Sequence, residues 1–280
     1  MNYDNLKSIS HIVFIICYKY NMVKKIGLLI GCNYTNTPNK LYGCQNDIIQ
    51  FKKILITKYK YKETDLKILL DKDTFVSPTK ENITTNLEEL VKLSNASVID
   101  EIFIYYSGHG SKIVDTSGDE PDGYDEVIVP LDFMTQGIIP DDYIYNVLSR
   151  ISKKSKITCV FDSCNSASIS DLSLTFKVTN NKVVSEILSK RQNLNKNIFI
   201  ISGCADNNFS YDVRDPMTLE PCGLLSYSLR KALEKNNYIC KIDKLLLDIT
   251  SIINGTKLNQ IPCITSGCLC QSNVIIFNTK

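Results

Sequence analysis

Apolar residues in this chain come as short unbroken runs set between segments of helical spacing, and the two kinds alternate. Lys25 to Cys32 is a continuous apolar run followed by the turn-rich stretch Asn33 to Lys40, the pattern of a strand buried on both faces. Leu41 to Leu55 repeats apolar positions at helical spacing, Leu66 to Leu70 is a short strand, and Thr79 to Leu93 is helical with Pro78 at its opening. Ile102 to Tyr106, Ile157 to Phe161 and Asn197 to Ile201 are further β-rich runs, each leading into a polar turn that holds Gly or Ser. Two more helices are predicted at Gly223 to Lys235 and Lys241 to Ile253. Such alternation predicts an α/β fold with a mostly parallel central sheet flanked by helices.

From Phe176 to Lys196 the chain turns polar and rich in Asn and Lys, with one helix-like patch at Val183 to Leu188. That stretch reads as a linker between two lobes. The expected organisation is an N-terminal extension over 1–22, expected to be disordered, a large lobe over 23–176, a linker over 177–196 and a small lobe over 197–280. The apolar stretch Ile9 to Tyr18 is shorter than the roughly 20 residues that cross a bilayer, so no membrane is expected. With 32 basic and 30 acidic residues mixed along the chain, no basic patch suggests nucleic acid. Eleven cysteines, an odd number at irregular spacings, suit a thiol protein of a reducing compartment better than a disulfide framework. A monomeric, cytoplasmic protein is expected.

In open parallel sheets, ligands and reactive groups gather where the strands end. Ser107-Gly108-His109-Gly110 follows one predicted strand and Asp162-Ser163-Cys164 follows another, which puts an imidazole and a thiol at one edge of the sheet. Only two histidines exist, His11 and His109, so the candidate general base is His109. A Cys and a His on strand ends suit acyl transfer: the thiolate attacks a carbonyl and the imidazolium protonates the leaving amine. The glycines beside His109 allow a tight loop, with the Gly110 amide free to donate to an oxyanion.

The chain resembles the metacaspases, caspase-like peptidases, from Gly27 onward. The strings that carry the resemblance are Gly27 to Tyr34, Leu41 to Asp47, Tyr106 to Gly110, Asp119 to Glu126, Asp162-Ser163-Cys164 and Ile201 to Cys204, in the family's order. The resemblance implies a caspase-like three-layer sandwich, a catalytic dyad of His109 and Cys164, and an oxyanion hole made by the backbone amides of Gly110 and Cys164. The short linker resembles that of the type I members, here without a proline-rich prodomain. One departure follows the nucleophile, where the family has His and then Ser-Gly and this chain has Asn165-Ser166-Ala167. The dyad mechanism requires none of these.

Cys44, Asp47, Ser107 and Asp162 match the family's specificity pocket. Two carboxylates in a cleft select a cation, so cleavage after Lys or Arg of peptide or protein substrates is expected. Lys177, Lys182, Lys190, Arg191 and Lys196 are then candidate self-cleavage sites. Asp125, Asp141, Asp142 and Asp171 match the family's activating calcium site, and hard carboxylate oxygens suit Ca2+. Cys263, Cys268 and Cys270 lack the spacing of a closed zinc site. The sequence therefore predicts a calcium-activated cysteine endopeptidase. Its rival, a caspase-like scaffold or regulatory binding protein that cuts nothing, rests on Asn165 and Ala167 alone.

Overall fold

The computed structural model describes residues 23–115, 123–164, 172–187, 194, 196–203 and 211–279. The strands in chain order are β1 (Lys25–Gly31), β2 (Leu66–Leu70), β3 (Glu101–Ser107), β4 (Gly110–Val114), β5 (Tyr124–Ile128), β6 (Ile139–Pro140), β7 (Lys156–Asp162) and β8 (Leu174–Thr179). They continue as β9 (Lys182–Ile187), β10 (Ile198–Ser202), β11 (Asp212–Arg214), β12 (Pro221–Gly223), β13 (Cys240–Lys241), β14 (Cys263–Ser266) and β15 (Ile275–Phe277). The helices are α1 (Cys44–Thr57), α2 (Lys80–Ala96), α3 (Phe133–Gln136), α4 (Asp141–Arg150), α5 (Leu224–Lys235) and α6 (Ile242–Asn254).

Eight strands form one sheet in the order β2-β1-β3-β7-β10-β14-β8-β9. The first five run parallel, and β14, β8 and β9 each pair antiparallel with the strand before them. Side chains alternate across a strand, and here the alternation sorts them into two cores. Leu29, Phe103, Tyr105, Val160 and Ile201 pack with α1, α5 and α6. Leu28, Ile30, Ile104, Tyr106, Cys159 and Phe161 pack on the other face with α2 and α4. The result is a three-layer α/β sandwich: the mostly parallel sheet is the one the sequence pattern predicts, and the three layers are those the resemblance implies. Every predicted core strand is present to within a residue or two, and the Thr79 side chain caps α2 by accepting from Asn82 N at 3.2 Å.

The segment read as a linker requires correction. Its first part is β9, paired with β8 as a hairpin that widens the sheet, and the helix-like patch at Val183 to Leu188 is a strand through Ile187. The turn explains it. Asn180 and Asn181 both take positive φ, 51° and 58°, which is the two-residue turn whose twist suits a hairpin. Strand β9 lies at the sheet edge and is mostly exposed, so its few apolar residues mimic helical spacing. The small sheet β4-β5-β6 and helix α4 also went unforeseen. Residues 1–22, Asn165 to Asp171, Lys190 and Arg191 lie outside the described residues. Among the described residues no helix is long and apolar enough to cross a membrane, and the cysteines are thiols rather than disulfides.

Lys196 departs from its expected role as a self-cleavage site. It is 5% exposed, and its ammonium donates to the carbonyls of Leu148, Ser149 and Ile151, closing the end of α4. A cation at a helix C-terminus meets carbonyls that have no partner within the helix. Burial holds the ammonium below the usual lysine range. Lys196→Met should leave those carbonyls unmet and lower the melting temperature by about 5 °C, as read by circular dichroism.

Candidate active site

Two turns meet at the carboxyl edge of the sheet, one after β3 and one after the adjacent β7. Gly108 N donates to Asp162 O at 3.3 Å, and a Cβ on Gly110 would collide with the Cys164 carbonyl. Both glycines flanking His109 thus lie directly on the turn that carries Cys164. The turns that carry the imidazole and the thiol, expected from the sequence at one edge of the sheet, are thus adjacent. Gly110 is opposite Ile128 in the β4-β5 ladder, while Val129 N bonds His109 O. That pattern marks Gly110 and Ile128 as a non-hydrogen-bonded pair, so the Gly110 N–H turns away from β5.

His109 is held from several sides. Its Nε2 lies 2.7 Å from Asn39 O, and a carbonyl has no proton to give, so Nε2 carries the hydrogen and Nδ1 is the basic nitrogen. Tyr34 packs its ring 4.7 Å from the imidazole, receives the His109 N–H at 3.0 Å, and donates to Val129 O at 2.5 Å. Tyr106 Oη stands 2.7 Å from His109 O. Burial raises both phenols well above their ordinary range, so they remain donors at any working pH. A Cβ on Gly108 would strike the Tyr106 hydroxyl, which makes the second glycine a packing requirement as well. Asn39, Tyr34 and Tyr106 were not foreseen as supports of the imidazole, although both tyrosines lie inside the matching strings.

Strand parity explains the pocket. Ser107 shares its face with Tyr105, and Asp162 shares its face with Val160, so both point toward the layer of α1 and α5. Asp47 comes from the first turn of α1 and is 1% exposed, not the solvated helix residue that its position could equally have been. Asp47 Oδ2 accepts from Ser107 Oγ at 3.0 Å and from Gly223 N at 3.0 Å. Asp162 Oδ2 accepts from Ser226 N at 2.9 Å and Ser226 Oγ at 2.5 Å. A side chain at Gly223 would strike both carboxylates, so the two acids face one small space. Burial first, and Asp162 second, push Asp47 well above the usual carboxylate range, against the donors Gly223 and Ser107 and the charge of Arg230. Cys44 beside them is also driven up by burial and stays a neutral thiol.

Three contributors here left no signal in the sequence. Gly223 and Ser226 come from the small lobe and complete the cradle. Arg230, 8% exposed on α5, pairs with Asp215 at 3.2 Å and acts on Asp47 through its charge. The acid pair is therefore partly compensated from within the protein.

The residues predicted as calcium ligands fall as follows. Asp125 on β5 and Asp141 at the start of α4 are both buried. Asp141 Oδ2 accepts from Glu126 N at 3.0 Å, which sets it next to Asp125 along the seam between the small sheet and α4. Asp142 follows with its side chain exposed. Asp171 lies outside the described residues, and among the described residues no three His, Cys, Asp or Glu side chains converge enough to hold a metal ion.

A family model described as "Metacaspase, peptidase C14 domain" matches residues 25–173. Metacaspase-1 of Schizosaccharomyces pombe is 30% identical over 295 residues, covering 88% of this chain and 68% of that protein. Metacaspase-1A of Neurospora crassa is 44% identical over 152 residues, covering 53% of this chain and 33% of that protein. The chain thus spans about a third of the length of the Neurospora relative. Among solved structures, protein GSU0716 from Geobacter sulfurreducens superposes with a TM-score of 0.58 at 20% identity, over 89% of this chain and 95% of that one. The structure titled pro-sf-caspase-1 gives 0.51 at 11% identity, over 89% and 94%. At these identities the two structures support the fold alone.

The raised Asp47 carries a stability signature. Because the native state holds this proton more tightly than the unfolded chain, stability is lost as pH climbs from the ordinary carboxylate range toward the raised value. Asp47→Asn keeps the shape without the ionisation. It should raise the melting temperature by about 2–4 °C at pH 8, with the gain shrinking toward pH 5, in paired thermal melts.

Proposed function

The chain belongs to the metacaspase family of cysteine peptidases, and from that premise we propose that it is an endopeptidase that cuts after Arg or Lys with Cys164 as nucleophile and His109 as general base. The observation that carries the reading is the meeting of the His109 and Cys164 turns beside the buried acid pair. The Cys164 proton passes to Nδ1 of His109 and the sulfur attacks the scissile carbonyl carbon. The Gly110 and Cys164 amides receive the developing oxyanion. As the tetrahedral adduct collapses, the C–N bond breaks and the leaving amine takes the imidazolium proton. Water, deprotonated by His109, then cleaves the thioester and returns the free thiol. Asn39 O fixes the tautomer that this sequence of proton transfers needs.

Substrate choice follows from charge. A cationic side chain entering between Asp47 and Asp162 gives the raised Asp47 a reason to ionise, and a neutral or acidic side chain does not. The monomeric, cytoplasmic assignment is kept as part of the proposal. Self-processing is proposed at Lys190 or Arg191. Lys177 and Lys182 are poorer candidates because both lie within the paired β8-β9 hairpin, and Lys196 is buried.

Calcium activation is proposed on the burial of Asp125 and Asp141. Two buried carboxylates on neighbouring elements would be neutralised by a hard divalent cation between them. Asp142 and Asp171 would complete the set.

Purified protein should hydrolyse an arginyl fluorogenic peptide with calcium present, lose most turnover in chelator, and lose all of it as Cys164→Ala. Turnover that ignores chelator would remove calcium from the account. A folded, calcium-loaded wild type that cuts nothing would favour the scaffold reading.

A further inference from the structure

One buried polar side chain at the catalytic edge has no place in the site as described. Gln260 leads into β14, and because β14 runs antiparallel to β10, with Cys263 opposite Ser202, its beginning lies at the edge where β3 and β7 end. Gln260 is 3% exposed. Among the described residues neither its Oε1 nor its Nε2 has a hydrogen-bond partner. A buried amide with both ends unmet is unfavourable in a native structure and calls for an explanation.

Its location supplies one. The point where a Cβ on Gly203 would stand is 2.7 Å from Gln260 Nε2 and 3.4 Å from Asp162 Oδ1. The amide and this carboxylate oxygen thus face one space that Gly203 keeps open. The other oxygen, Oδ2, is taken up by Ser226, and Oδ1 is the one that borders the Gly203 space beside Gln260.

The acid pair is already partly occupied by Gly223, Ser107 and Ser226. An arginine guanidinium brings five N–H donors in a plane and no acceptor, whereas a lysine ammonium brings three around a point. A guest with five donors needs an acceptor beyond the carboxylates, and a buried amide oxygen at the same edge is a suitable one. We propose that Gln260 is a further specificity residue of the pocket: its Oε1 accepts an N–H of a bound arginine side chain while its Nε2 donates to Asp162, so the pocket favours arginine over lysine. The proposal rests on the reading above that the chain cuts after basic residues.

The test compares wild type with Gln260→Met, similar in length but without hydrogen-bonding groups, on arginyl and lysyl fluorogenic peptides otherwise identical, alongside melting temperatures. The arginyl kcat/KM is expected to fall about tenfold more than the lysyl value, through KM, with a melting temperature equal to or above that of wild type. An unchanged ratio would overturn the proposal. So would a melting temperature well below wild type in both Gln260→Met and Gln260→Leu, which would mark a structural amide. A wild type that cuts neither peptide would instead overturn the basic specificity itself, and a wild type active on both with an unaltered ratio in the variant would overturn this inference alone.

Discussion

Two buried carboxylates bordering one small space constrain the groups around them at the edge where β3 and β7 end. Asp47 from α1 and Asp162 from β7 both border the backbone of Gly223, and each is buried. Burial disfavours the charged form of Asp47, and the neighbouring Asp162 adds to it, so Asp47 is driven up. The protein meets part of the demand with backbone N–H groups, serine hydroxyls and the Arg230 charge. The remainder is proposed to fall to the substrate. A pocket that resists ionisation when empty and favours it when a cation enters discriminates strongly, because a neutral guest gains nothing from it.

The same edge depends on close backbone approach. Gly110 packs against the Cys164 carbonyl, Gly108 leaves room for the Tyr106 hydroxyl, and Gly223 lies against both acids. In each case the glycine is required because another group occupies the volume of its missing side chain. Beneath them, the parallel register of β3 and β7 brings Ser107 opposite Asp162, so the turns that carry His109 and Cys164 leave the sheet side by side. Tyr34 and Tyr106 then lock the imidazole turn to Val129. Geometry at the site is thus inherited from sheet register and fixed by hydroxyl contacts.

Particular residues show how much of this was legible in the sequence. The core strands could be read because burial on both faces leaves runs with almost no polar residue, as in Lys25–Gly31. His109, Cys164, Asp47 and Asp162 could be read because their chemistry and their surrounding strings are distinctive. Strand β9 could not, since an exposed edge strand lacks a buried face to mark its period, and the better clue was the Asn180-Asn181 turn. Ser226 and Arg230 were hidden for another reason. They meet the acid pair only through the packing of α5 on the sheet, a contact between residues more than sixty positions apart in the chain. Local pattern carries no record of such a meeting.

The central claim is that a cationic side chain makes the acid pair ionise. Isothermal titration calorimetry of acetyl-arginine methylamide into the Cys164→Ala protein, at a series of pH values upward from the ordinary carboxylate range and in two buffers of different ionisation enthalpy, measures it directly. The account predicts binding accompanied by net proton release, as Asp47 gives up the proton that burial makes it hold, and no detectable binding of the neutral citrulline analogue. Binding without proton exchange, or equal binding of citrulline, would contradict it.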